Sequence, residues 1–143
     1  LIYPIFVRKK AVKVLFIDDE YLERVRFSET IKLLDLGIEV MIAENGWDAI
    51  ALLGKSKILP DIIIHDINMP DMNGIEFLQK LKTVEAFRRI PKITFTSSKN
   101  TKDHQKCWDL GVNSILIKPI KPEDYKETIQ LMITYWKLNA SRP

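Results

Sequence analysis

The sequence is poor in thiol and imidazole, with one cysteine, Cys107, and two histidines, His65 and His104, among 143 residues. A lone thiol closes no internal disulfide, so nothing points to an oxidising compartment, and the cytoplasm is the expected location. No His or Cys spacing suits zinc. Long apolar runs are missing too. The apolar opening, residues 1–7, is far too short to span a bilayer, and its basic residues follow rather than precede it, so it reads as neither anchor nor signal peptide. There is no internal repeat, no low-complexity tract and no Gly/Ser linker. A basic surface is also lacking: the net charge is +3, but Arg8, Lys9, Lys10 and Lys13 supply four positive charges, and without them the balance turns slightly negative. No basic stripe interleaved with aromatics remains, so neither nucleic acid nor membrane is an expected partner.

What is present is ordinary for a globular chain: 46% apolar and 29% charged residues, in a length that fits one domain with a real core. Residues 1–10 are expected to be an N-terminal extension or cloning remnant, 11–138 the folded domain, and 139–143 a C-terminal tail. Five short apolar runs, 12–17, 38–43, 61–65, 92–96 and 114–117, alternate with segments carrying apolar residues at helical spacing. Near-continuous Val, Ile, Leu and Phe content suits parallel strands covered on both faces. The helices are expected over 21–36, 47–53, 75–84, 102–110 and from Pro122 to about residue 138, with Gly37, Gly54 and Gly111 as left-handed C-terminal caps. The expected fold class is therefore α/β, a (βα)5 chain with one doubly wound, five-stranded parallel sheet.

In such a sheet the functional site lies beyond the carboxyl ends of the strands. The first strand ends in Asp18-Asp19-Glu20, the third in Asp66, the fourth in Thr96-Ser97-Ser98 and the fifth in Lys118-Pro119. Asp18, Asp19 and Asp66 offer only hard oxygen donors, which suit Mg²⁺. A carboxylate oxygen beside such a cation can attack phosphorus while the metal and Lys118 neutralise the phosphoryl oxygens and Thr96 donates a hydrogen bond to one of them.

The segments Phe16-Ile17-Asp18-Asp19-Glu20, His65-Asp66-Ile67-Asn68-Met69-Pro70-Asp71-Met72-Asn73-Gly74, Thr96-Ser97-Ser98 and Ile117-Lys118-Pro119 resemble the signatures of the response regulator receiver family, in order and spacing. The resemblance covers roughly residues 13–136, includes Ala43-Glu44-Asn45-Gly46, and implies a flavodoxin-like receiver fold. Residues 133–136 also resemble the single-domain regulators of phytochrome-like histidine kinases. It implies that Asp66 is the phospho-acceptor of a two-component phosphorelay. Asp18, Asp19 and the backbone carbonyl of Asn68 would hold Mg²⁺ with Asp66, Lys118 would contact the phosphate, and the Lys118–Pro119 peptide would be cis. The implied partners are a sensor histidine kinase or phosphotransfer protein, and a downstream protein target or self-association through the fourth helix, fifth strand and fifth helix. Turnover of an external substrate is not expected. The chain departs from the family at Ile115, where an aromatic is usual, and that keeps alive a receiver-like module that signals by binding alone, without phosphorylation.

Taken singly, Asp18 or Asp66 reads as a helix cap, Thr96 as a turn residue and Lys118 as a solvated charge; their joint arrival at one sheet edge carries the case. Cys107 reads as core filler, His65 and His104 as packed or solvated, and Trp47 as an exposed aromatic. A haloacid-dehalogenase-type phosphatase would need a second acid two residues after the nucleophile, where this chain has Asn68. A flavin carrier would need a phosphate loop where Asp18-Asp19-Glu20 stands. On the last helix, Tyr125, Ile129, Met132, Ile133 and Trp136 follow core spacing, while Leu131, Tyr135 and Leu138 make a second apolar stripe expected to be an interface.

Overall fold

Runs of β-branched and aromatic residues form the strands β1 (Val12–Ile17), β2 (Ile38–Ala43), β3 (Ile62–His65), β4 (Lys92–Thr96) and β5 (Ser114–Ile117). Between and after them lie α1 (Tyr21–Leu34), α2 (Gly46–Lys55), α3 (Gly74–Lys82), a single turn α4 (Glu85–Arg88), α5 (Thr101–Asp109) and α6 (Pro122–Leu138). This computed structural model describes residues 11–138; the expected extension and tail, 1–10 and 139–143, lie outside the described residues.

All strand pairings are parallel, in the order β2-β1-β3-β4-β5. The order reverses between β1 and β3, so the switch point of the sheet falls beside the carboxyl ends of those two strands. Alternate residues face opposite layers. Val14, Phe16, Ile62, Ile64, Ile93 and Phe95 pack against Phe27 and Ile31 of α1 and Tyr125, Ile129 and Met132 of α6. Leu15, Ile17 and Ile63 pack against Ala49 and Leu53 of α2 and Phe77 and Leu81 of α3. Under α5, Cys107 joins Ile67, Leu78 and Val112. The sheet is thus covered on both faces, as near-continuous apolar strands require. The second stripe of α6, Leu131, Tyr135 and Leu138, is exposed, while Trp136 is partly buried against the core.

Several local expectations are corrected. β3 begins at Ile62, and Asp61 before it is tied to β1 through its side chain as well as its backbone, its N–H donating to the Lys13 carbonyl at 2.7 Å and its carboxylate accepting the Lys13 N–H at 2.8 Å. The first helix stops at Leu34, since Asp35 already turns left-handed at φ 47°. Gly37 and Gly111 do adopt positive φ, 69° and 91°, but Gly54 lies inside α2 and caps nothing. Ser56 ends that helix, its hydroxyl donating to the Leu52 carbonyl at 2.6 Å, so no left-handed glycine is required. The turn α4 was not foreseen; the buried Lys92 stabilises it by donating from Nζ to the carbonyls of Phe87, Arg88 and Ile90 at 3.0, 3.2 and 2.6 Å. No peptide among the described residues is cis, so the Lys118–Pro119 bond is trans. Trans is the intrinsically favoured isomer, by about 0.5–1 kcal/mol, and Lys118 reaches its carboxylate partners with it.

Candidate functional site

The switch point brings the β1 and β3 carboxylates together. Asp18 follows β1 and is 1% exposed; Asp66 follows β3 and is 8% exposed. Lys118, just past β5, reaches across β4, its Nζ donating to Asp18 Oδ2 at 2.6 Å and to Asp66 Oδ2 at 2.8 Å. Its backbone N–H donates to the Thr96 carbonyl at 2.8 Å, which fixes where the long side chain starts. Burial pushes the Asp18 carboxyl up, against the hydrogen-bonded Lys118 ammonium that pulls it down. Burial also disfavours the Lys118 charge, but Asp66 and Asp18 together outweigh it and hold the ammonium above its ordinary range. The result is two buried carboxylates sharing one cation.

Asp66 is fixed further by its own loop. Its Oδ1 accepts the Ile67 N–H at 2.6 Å, and Gly74 opens α3 directly over its peptide. A Cβ at position 74 would stand 2.1 Å from the Asp66 carbonyl oxygen, so only glycine fits. Asn73 caps α3 through a reciprocal capping box with Glu76, anchoring the far end of the same loop. Beneath it the fully buried His65 bonds the Asp66 carbonyl through Nδ1 at 2.8 Å and the Thr94 hydroxyl through Nε2 at 3.0 Å. Burial lowers its pKa to about 4, leaving the ring neutral at pH 7. His65 is therefore the packed histidine expected, and Cys107 the buried core residue expected, its thiol pushed up by burial.

Of the other expected site residues, Asp19 is partly exposed beside Asp18, Asn68 is exposed in the loop after β3, and Thr96 is buried at the end of β4, its hydroxyl accepting the Ser98 N–H at 3.1 Å. The side chains of Asp19, Asn68 and Thr96 make no hydrogen bond to Asp18, Asp66 or Lys118. Among the described residues no three His, Cys, Asp or Glu side chains are grouped as a metal cage. The donor chemistry nevertheless fits a small hard cation, because two buried carboxylates converge on a single positive charge and further oxygen donors adjoin them.

Two residues of the site escaped the sequence reading. Arg24 donates from one guanidinium nitrogen to the carbonyls of Asp18 and Asp19, both at 2.9 Å, clamping the acidic corner. Glu23 Oε2 is buried without a hydrogen-bond partner and lies 3.7 Å from Lys118 Nζ. Both sit in the first turn of α1, and the available signal was that this turn folds back over the loop it starts from.

The family model for the response regulator receiver domain matches residues 14–130. The chain belongs to that family. Among curated relatives, this receiver is 39% identical over 108 residues to the probable transcriptional regulator ycf29 of Porphyra purpurea, covering 76% of this chain and 51% of that protein. The receiver thus spans about half the length of such a relative. Among solved structures it superposes on the Mn²⁺-bound form of the response regulator Rcp1 with TM-score 0.81 and 26% identity, covering 92% of this chain and 99% of that one. The phosphorylated cyanobacterial phytochrome response regulator RcpA shares the fold with TM-score 0.86 at 24% identity, covering 94% and 99%. The receiver is a two-component signalling domain of the flavodoxin-like fold. No helix among the described residues is long and apolar enough to cross a membrane.

Proposed function

We propose that this receiver is a phosphorylation switch in which Asp66 accepts a phosphoryl group from a phosphohistidine of a sensor histidine kinase or phosphotransfer protein. The observation that carries the reading is the Asp66 carboxylate at the switch point, held by Lys118 together with the buried Asp18. An Asp66 oxygen attacks phosphorus, the P–N bond to the donor imidazole breaks, and the imidazole leaves with the electron pair. Lys118 follows the negative charge from carboxylate to phosphoryl oxygen. The Thr96 hydroxyl, which accepts one N–H, keeps its own proton to donate to another oxygen. Asp18 and Asp19, with Asp66 and the Asn68 carbonyl, would hold Mg²⁺, which supplies charge neutralisation of the phosphoryl group when bound. Water attacking the phosphorus of the aspartyl phosphate breaks its bond to the Asp66 oxygen, releases inorganic phosphate and returns the carboxylate, so the receiver resets itself without turning over an external substrate. The Mn²⁺-bound neighbour supports a divalent ion of this kind.

Output is by protein contact, to a downstream target or a second copy, through α5, β5 and α6, and the exposed Leu131, Tyr135 and Leu138 supply apolar area there. The setting is the cytoplasm, with neither nucleic acid nor membrane as partner. The test is incubation with acetyl phosphate and Mg²⁺: the parent gains one phosphoryl mass, and Asp66→Asn gains none. Equal gain by both proteins would refute Asp66. The partly buried Ile115, packed beside Cys107 and Val112 where the family has an aromatic, favours a second reading as a binding module that needs no phosphate. That reading requires no mass gain on the parent.

A further inference from the structure

Lys118 faces three carboxylates, and the phosphoryl chemistry described above uses only two of them. Its Nζ lies 2.6 Å from Asp18 Oδ2, 2.8 Å from Asp66 Oδ2 and 3.7 Å from Glu23 Oε2. An ammonium carries three N–H donors, so one remains after Asp18 and Asp66 are served. Glu23 Oε2 is the matching loose end. It is buried, accepts no hydrogen bond among the described residues, and stands just beyond hydrogen-bond reach of Nζ yet within ion-pair range. A buried acceptor left unmade is unfavourable, and a short movement of Nζ would satisfy it.

Glu23 is held where such a movement would meet it. Its Oε1 lies 4.0 Å from Nη1 of Arg26, three residues on along α1, and the Arg26 guanidinium sits 3.8 Å over the ring of the buried Tyr125 of α6. One oxygen of Glu23 is thus tied to a pinned cation, and the other is left to Lys118. The Lys118 side chain is only 10% exposed, so water offers the ammonium little replacement if it gives up Asp18 and Asp66. Those two are also the buried carboxylates that would take a divalent ion, and an ion there competes with the ammonium for the same oxygens. A displaced ammonium then needs another anion close by. Among the described residues Glu23 is the third and last carboxylate paired with Nζ.

We propose that Glu23 is a positioning residue that receives the Lys118 ammonium when a divalent ion binds at Asp18 and Asp66, and so raises the affinity of the site for that ion. The inference rests on the reading of Asp18 and Asp66 as the ion's carboxylates. It is tested on the full chain at neutral pH, without phosphodonor, by titrating Mn²⁺ and following loss of the free-ion signal by electron paramagnetic resonance. Four proteins are compared: the parent, Glu23→Gln, Lys118→Met and the double variant, each first shown to be folded by a metal-free thermal melt. Should Lys118→Met not fold, Lys118→Gln, which keeps donors for the two carboxylates without the charge, takes its place. Glu23→Gln should bind Mn²⁺ about tenfold more weakly than the parent, the size of coupling found within one ion-pair network. In the Lys118→Met background the same substitution should cost about threefold or less, because no ammonium is left to receive. An equal loss in both backgrounds would show Glu23 acting on the ion directly and would overturn the role through Lys118. Equal affinity of the parent and Glu23→Gln would overturn it as well. No Mn²⁺ binding by the parent would overturn the ion reading itself, and this inference with it.

Discussion

His65 makes the domain acid-sensitive in a way that can be calculated. In the unfolded chain its imidazole titrates near 6.5, and in the folded chain burial lowers this to about 4. The folded state thus refuses a proton that the unfolded state takes. The associated stability is fully present above about pH 6.5 and is lost as pH falls toward 4. A separation of about 2.5 units at about 1.4 kcal/mol each gives about 3 kcal/mol, a large share of the 5–15 kcal/mol typical of a domain. The raised carboxyl of Asp18 acts in the opposite sense, since its folded form becomes less penalised as acid neutralises it. The assay therefore compares the parent with His65→Leu, so that every other titration cancels. Urea midpoints followed by far-ultraviolet circular dichroism at pH 7, 6, 5 and 4 give both curves. The parent should lose about 3 kcal/mol more than His65→Leu between pH 7 and pH 4. A difference that stays flat over that range would refute the buried, neutral assignment of the ring.

Lys118→Ala leaves Asp18 and Asp66 buried without their shared cation, and urea unfolding at pH 7 should show a loss of about 3 kcal/mol, with much of it recovered in the Lys118→Ala/Asp18→Asn double variant. Gly74→Ala sets a methyl 2.1 Å from the Asp66 carbonyl, so the loop must move. A thermal melt should register about 1–3 kcal/mol of destabilisation and acetyl phosphate labelling should slow. Ser97 is exposed and follows Thr96 at the carboxyl end of β4, and Ser97→Phe should shield the aspartyl phosphate from water and lengthen its half-life, read as decay of phosphoryl mass after donor removal.

How far the sequence speaks depends on the length scale of the force that decides each feature. Four of the five strands begin and end where the apolar runs do, because a strand buried on both faces must be apolar throughout. The meeting of Asp18, Asp66 and Lys118 was legible as well, since a parallel sheet sends every strand's carboxyl end to one rim. The turn at Glu85–Arg88 was not, for it hangs on Lys92 donating backwards to three carbonyls, a contact with no periodic signature. The cap misassigned to Gly54 fails for a similar reason, as one serine hydroxyl does the same work. Glu23 and Arg24 belong to no motif, and only their place in the first turn of α1, beside the loop after β1, brings them to the site. The His65–Thr94 bond was hidden because strand register, which sets those residues opposite each other, depends on all the pairings together.

The central claim is that phosphate resides on Asp66 itself, and it can be read at the atom concerned. Borohydride reduces an acyl phosphate to the alcohol, so trapping the phosphorylated protein converts phospho-aspartate to homoserine. Peptide mass mapping after reaction with acetyl phosphate and Mg²⁺ should place homoserine at position 66, and none should form when Mg²⁺ is chelated. Homoserine at Asp18 or Asp19, or at no position under conditions that label other receivers, would contradict the account.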